Sequence, residues 1–153
     1  MELFLIRHAT AEDGEDDDAR PLSRKGRRRF ADVVRGLDSL KVRFERVLHS
    51  PKLRAVQTAE LLSPVVRGEL EVTTLLATEP SKELIGALTG DRLALVGHEP
   101  WLSALLAWLV LGDAGAGGGF ELKKGAVACL EGEPSPRGMR LVALLPPRVW
   151  RKR

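Results

Sequence analysis

One cysteine in 153 residues, Cys129, excludes an internal disulfide framework and fits a reducing compartment. It lies in Gly125-Ala126-Val127-Ala128-Cys129-Leu130, which reads as a strand. A buried, inert thiol is expected there rather than a nucleophile. Long apolar runs are missing as well. The longest, Trp101 to Leu111, is about half of the roughly 20 residues a membrane helix needs. The first apolar stretch, Leu3-Phe4-Leu5-Ile6, is closed by Arg7 and is too short for a secretory leader. A cytoplasmic protein that neither spans nor is anchored in a membrane is therefore expected. No zinc or helix-turn-helix spacing is present, and no basic run interleaves with aromatics, so nucleic acid is not an expected partner. The glycine-rich stretch 114–119 fits neither G-x-x-x-x-G-K-[ST] nor G-x-G-x-x-G and reads as a connector. No carboxylate cluster has metal-binding spacing, so neither metal nor cofactor is expected.

What is present is an ordinary globular composition, 44% apolar and 29% charged, in a length that suits one domain spanning 1–153. The net charge of +3 matters less than its layout. Residues 12–18 carry six acids, and residues 20–29 carry six bases. These opposed blocks neutralise each other locally. Arg148, Arg151, Lys152 and Arg153 form a short basic tail.

Residues 3–6 read as a buried strand, with Arg7 and His8 where it gives way to a loop. Residues 11–20 read as a mobile loop. Ser23 is the expected N-cap of a helix over about 24–38, whose Phe30, Val33, Val34 and Leu37 share one face while arginines take the other. A second strand covers 46–49. Ser50-Pro51 then supplies an N-cap and an N1 proline for a helix to about residue 62, with Arg54 in its first turn, where free N–H groups and the dipole attract anions. Residues 69–76 suit a short strand, and 82–88 a short helix. Leu93 to Gly97 is a further apolar run fit for an interior parallel strand, followed by His98. Glu99-Pro100 opens a helix with Leu102, Leu105, Leu106 and Leu109 on one face; Trp101 and Trp108 are assigned to packing. Strands over about 126–131 and 139–145 form a closing hairpin. The pattern predicts a three-layer α/β/α sandwich, its sheet mostly parallel with an antiparallel edge.

Arg7, His8, Arg54 and His98 thus all stand where strands end or helices begin, and ligands of open α/β sheets bind at the carboxyl ends of strands. Two cations beside two imidazoles suit chemistry on an anion. The motifs around them resemble a family. Leu5-Ile6-Arg7-His8-Ala9-Thr10 is similar to the Arg-His-Gly signature of the histidine phosphatase superfamily, which has the phosphoglycerate mutase-like fold. Ser50-Pro51-Lys52-Leu53-Arg54-Ala55-Val56-Gln57-Thr58-Ala59 matches the second motif, S-P-x-x-R-A-x-Q-T-A, and Gly97-His98-Glu99-Pro100 the third, G-H-x-P. The short chain and Arg20-Pro21-Leu22-Ser23-x-x-Gly26 look like the SixA-type phosphohistidine phosphatases. Two positions depart from the pattern. Ala9 replaces a glycine, and His49, assigned to packing, precedes the second motif. Larger relatives carry an acidic proton donor on an insertion absent here; Glu79 is the only acid in a comparable loop and is given no role.

The resemblance implies metal-independent phosphoryl transfer through a covalent phosphohistidine. His8 would be the nucleophile, neutral at its attacking nitrogen. Arg7 and Arg54 would hold the phosphoryl oxygens, and His98, if protonated, would donate a third set of hydrogen bonds to them. Arg20 would either add a phosphate contact or pair with the acidic loop. Without a lid insertion the pocket should be open and shallow, which suits phosphohistidine on a protein surface. The alternatives are a broad small-molecule phosphomonoesterase acting on phosphate esters and a non-catalytic phosphoprotein-binding module. Oligomeric state is left open.

Overall fold

The computed structural model describes residues 1–151. The chain runs β1 (Glu2–Arg7), α1 (Arg24–Ser39), β2 (Arg46–His49), α2 (Leu53–Leu61), β3 (Leu70–Val72), α3 (Lys82–Ala87), β4 (Arg92–Gly97), α4 (Trp101–Leu111), β5 (Val127–Gly132) and β6 (Met139–Leu145). The strands form one sheet in the order β3-β2-β4-β1-β5-β6. β3, β2, β4 and β1 run parallel to one another, whereas β5 pairs antiparallel with both β1 and β6. The expected sandwich with a mostly parallel sheet and an antiparallel edge pair is what forms.

β1 and β4 occupy the interior because nearly every residue in them is apolar and both faces are covered. Alternate residues divide between two cores. Leu3, Leu5, Leu93 and Leu95 pack with α3 and α4 residues such as Leu84, Leu102, Leu105 and Leu106. Phe4, Ile6, Ala94 and Val96 pack with Phe30, Val33 and Leu37 of α1 and Ala55 and Ala59 of α2. Burial on this scale, at ~25 cal/mol per Å² of apolar surface, is the main force holding the three layers. No helix among the described residues is long and apolar enough to cross a membrane.

Ser23 caps α1 as expected, its Oγ accepting from Gly26 N at 2.9 Å. Gly26 is constrained by close approach: a Cβ there would lie 2.1 Å from the Thr10 carbonyl oxygen. The first turn of α1 therefore rests directly on the loop that follows His8. Cys129 is half-buried, and burial pushes its thiol up to about 11, consistent with an inert group.

Three expectations need correction. α2 starts at Leu53 with Lys52 at the cap position and no side-chain cap; Ser50, just after β2, accepts from Lys52 N at 3.2 Å and lies 2.7 Å from His98 Nε2. The strand expected over 69–76 stops at Val72, because Thr73 caps a 3-10 turn, Thr74–Leu76, that buries Leu76. The 114–119 stretch links α4 to β5, as expected of a connector, and forms a 3-10 turn pressed against α4: a Cβ on Gly117 would meet Ala104 N at 2.9 Å. Residues 11–20, expected to be mobile, are tied at the base by an Ala11–Leu22 bridge and by Glu12 N donating to Pro21 O at 2.8 Å, and their acids find cationic partners. The Lys152 and Arg153 part of the basic tail lies outside the described residues.

Candidate active site

Strand register brings the key residues together. Arg7 of β1 pairs with Gly97 of β4, so His8 and His98 leave the sheet side by side. Their ring centroids are 5.1 Å apart, inclined at 50°. On the other flank of β4, Ser50 N donates to Val96 O at 3.0 Å, which sets Ser50 at the same level. Arg54 enters from the first turn of α2. His8, His98 and Arg54 are each at least 94% buried, being 5%, 6% and 6% exposed.

His8 is held in one tautomer. Its Nδ1 lies 2.7 Å from the Ala9 carbonyl oxygen. A carbonyl only accepts, so Nδ1 carries the proton and Nε2 keeps its lone pair. Burial is the largest influence on the ring and lowers its pKa to about 3; the Ala9 hydrogen bond opposes this, and His98, Arg54 and Arg7 add to the lowering. The ring is neutral at pH 7. The backbone beside it is fixed by Thr58, whose Oγ1 accepts from Ala9 N at 3.0 Å and donates to Arg54 O at 2.7 Å. Ala9 is not among the residues of positive φ, so alanine replaces the familiar glycine without strain.

Arg7 donates from Nη1 to Leu122 O at 2.9 Å, while its Nε is buried with no partner among the described residues. Such a donor is costly to leave unpaired. Burial lowers the Arg7 pKa against the pull of Glu99, but a guanidinium stays charged at neutral pH. Arg54 donates from Nη1 to Asp17 O at 2.6 Å and from Nη2 to the Asp17 carboxylate at 3.2 Å.

His98 places Nε2 2.7 Å from Ser50 Oγ, and its buried Nδ1 has no partner among the described residues. Burial first, then Arg54 and Lys52, lowers its pKa to about 4. A dry site beside cations disfavours a third positive charge on this ring. A phosphoryl dianion at the site would push the ring the other way.

Arg20 pairs with the acidic loop: its Nε donates to Glu12 O at 2.8 Å and its Nη1 to Asp17 at 3.1 Å. His49 is buried, its Nδ1 2.9 Å from Ser50 O, in line with a packing role. Glu79 is exposed.

Ser50, Lys52, Thr58, Leu122 and Asp17 were given no role in the site by sequence reasoning. Ser50, Lys52 and Thr58 lie inside the second motif, so their position was a signal even though their function was not. Gln57 is another: its Oε1 accepts from Leu22 N at 2.8 Å and ties α2 to the loop entering α1. Among the described residues no three His, Cys, Asp or Glu side chains converge to hold a metal ion. A cavity of about 330 Å³ lined by Phe4, Leu40, Val42 and Cys129 includes none of Arg7, His8, Arg54 and His98.

A tetrahedral anion fits the chemistry of this cluster: guanidinium donors around an imidazole with a free lone pair. Comparison with known proteins points to the same class. The model of the histidine phosphatase superfamily (branch 1) matches residues 3–77. The chain is 31% identical over 123 residues to the phosphohistidine phosphatase SixA of Escherichia coli K12, covering 74% of this chain and 76% of that one. It is 37% identical over 126 residues to an uncharacterized protein of Picosynechococcus sp., covering 75% and 76%. The chain belongs to the histidine phosphatase superfamily and is a phosphatase acting on phosphorylated substrates. Among solved structures, the protein histidine phosphatase SixA complexed with tungstate superimposes with a TM-score of 0.84 at 26% identity, covering 99% of this chain and all of that one. Within the superfamily, this protein is of the SixA type. The alpha-ribazole phosphatase of Shigella flexneri shares the fold, with a TM-score of 0.79 at 19% identity over 96% and 97% of the two chains.

Proposed function

We propose that this protein removes the phosphoryl group from phosphohistidine on a partner protein, through a covalent phosphohistidine on its own His8. The observation that carries the reading is the state of His8: Nδ1 is committed to the Ala9 carbonyl, and burial keeps the ring neutral, so Nε2 is a ready nucleophile. In the first step the Nε2 lone pair forms a bond to phosphorus while the substrate's P–N bond breaks, and the departing imidazole takes a proton from water. In the second, water attacks phosphorus, the bond to Nε2 breaks, and inorganic phosphate leaves as the proton passes to solvent. Arg7, through its unpartnered Nε, and Arg54 hold the phosphoryl oxygens, and His98 adds its free Nδ1 once the bound dianion has raised its pKa. Positioning and fixed charge are what such a transfer chiefly needs.

The choice of substrate rests on what this transfer demands. Imidazole-to-imidazole transfer makes and breaks similar bonds, so a strong proton donor is dispensable. Glu79, the only acid in a loop comparable to the relatives' donor segment, is exposed. Between β3 and β4 only a 3-10 turn and the six-residue α3 intervene, which leaves no large lid. An open site suits a phosphate presented on a protein surface. The guanidinium charges serve where other phosphatases use metal ions, so the reaction is metal-independent, and the single inert thiol suits a cytoplasmic setting. Neither nucleic acid nor a membrane takes part.

Parallel assays of a phosphohistidine peptide and of small phosphate esters test the reading. The peptide should be turned over with the higher kcat/KM; equal turnover of both classes would favour a broad phosphomonoesterase instead. A chelator should leave the rate unchanged, whereas inhibition reversed by a divalent metal would contradict the charge scheme.

A further inference from the structure

The resting site contains an anion of its own. The Asp17 carboxylate accepts from Arg54 Nη2 at 3.2 Å, from Lys52 Nζ at 3.0 Å and from Arg20 Nη1 at 3.1 Å, while the Asp17 carbonyl accepts from Arg54 Nη1 at 2.6 Å. Both terminal nitrogens of Arg54 are thus taken up by one residue. These are the donors a bidentate grip on phosphate would use. Asp17 is not a buried structural partner: its side chain is 54% exposed against 8% for Arg54. The 3-10 turn that carries it, Asp17–Ala19, buries no residue, so lifting it breaks no core contact. Its base is anchored separately, by the Ala11–Leu22 bridge and the Glu12–Pro21 hydrogen bond, so those anchors do not depend on the Asp17–Arg54 contact.

Resting on the assignment of Arg54 to phosphoryl binding, we propose that Asp17 is an anionic latch that holds Arg54 in the empty enzyme and competes with every phosphoryl group for it. It thereby sets how tightly the site retains oxyanions, the product phosphate included. Three cations hold the Asp17 carboxyl well below the usual carboxylate range, so protonation does not open the latch near neutral pH; a competing anion does. A phosphoryl dianion brings more charge and more acceptor oxygens than one carboxylate and displaces it, whereas weaker anions do not. When phosphate is formed, the return of Asp17 to Arg54 favours its departure. Asp17 is in this sense a specificity-determining residue: it raises the threshold that any anion must exceed.

The test uses the full chain, with tungstate and inorganic phosphate as probes, and compares Asp17→Asn with Asp18→Asn. The second variant removes the same charge from an exposed neighbour whose nearest cation, Lys52, is 3.8 Å away. Asp17→Asn should tighten tungstate and phosphate binding by about tenfold and lower KM with little change in kcat, as expected when a charged competitor is neutralised in place. Asp18→Asn should change binding less than about twofold, as a solvated charge does. Unchanged or weaker oxyanion binding in Asp17→Asn would overturn the latch and make Asp17 a support for Arg54. Equal effects of the two variants would also overturn it, in favour of a diffuse field. Arg54→Ala separates the latch from its premise: if that variant binds tungstate as well as the parent, the assignment of Arg54 itself fails.

Discussion

The floor and the rim of the site obtain their charge states in opposite ways. On the floor, His8 and His98 are dry, and burial holds both rings neutral far below the pH at which a free imidazole titrates. On the rim, Lys52, Arg20 and Asp17 meet water and stay charged through mutual pairing. Arg54 belongs to both, with a buried guanidinium whose donors reach the rim. The floor is set by the fold, since changing it means wetting the core. The rim is set by ion pairs, which exchange readily because exposed pairs are individually weak. A nucleophile needs the first kind of environment, and a binding site that must release its product needs the second.

Removing the floor should have the largest effect. His8→Ala should reduce turnover by at least about 10⁴-fold, as expected when a nucleophile is deleted, while tungstate binding persists on the arginines. Near-native hydrolysis in a kinetic assay would show that the nucleophile lies elsewhere. Arg54→Ala, at the junction, should cost about 10²- to 10³-fold in kcat/KM, the usual scale for one charge-stabilising donor. Arg54→Lys should not restore it, because an ammonium cannot grip two oxygens at once. Ser50→Ala removes the partner of His98 Nε2 and should cost about fivefold to tenfold, the scale of one hydrogen bond.

The pH response sharpens the same contrast. With a folded pKa of about 3 against 6.5 for a free ring, His8 should show no titration between pH 8 and 5.5 by NMR of its ring protons. A midpoint near 6.5 would mean that the floor is wet. The sign for stability follows. Below pH 6.5 the unfolded chain takes up protons that the folded ring refuses, so acidification towards pH 3 favours unfolding. His98, lowered to about 4, acts in the same direction over a narrower range. Thermal unfolding should therefore occur at a lower temperature at pH 5 than at pH 7, and by a smaller difference in His8→Ala.

Much of the floor was legible in the sequence, and little of the rim. β1 and β4 announce themselves as unbroken apolar runs, and Arg7, His8 and His98 follow from where those runs end. Ser23 reads as a cap and is one. Ser50-Pro51 reads equally well as a cap, yet the end of β2 puts the Ser50 hydroxyl next to His98, a contact between residues 48 positions apart. Local propensity cannot register such a contact. Asp17 was hidden for a related reason: one acid among six in 12–18 looks like solvated charge until the fold brings Lys52 and Arg54 against it. The protonation state of His98 was left conditional, because desolvation belongs to the folded site, not to the residue. β3 fell short of its expected length because its burial is slight, with Leu70 and Val72 exposed, so the Thr73 cap ended it.

The central claim is that Nε2 of His8 becomes phosphorylated. Rapid quenching of the enzyme with a phosphohistidine peptide labelled on phosphorus, followed by digestion and mass spectrometry, tests it directly. The account predicts an acid-labile, alkali-stable phosphoryl group on the peptide containing His8, formed and lost at rates compatible with turnover and missing in His8→Ala. Full turnover with no labelled enzyme species, or with label on another residue, would contradict it.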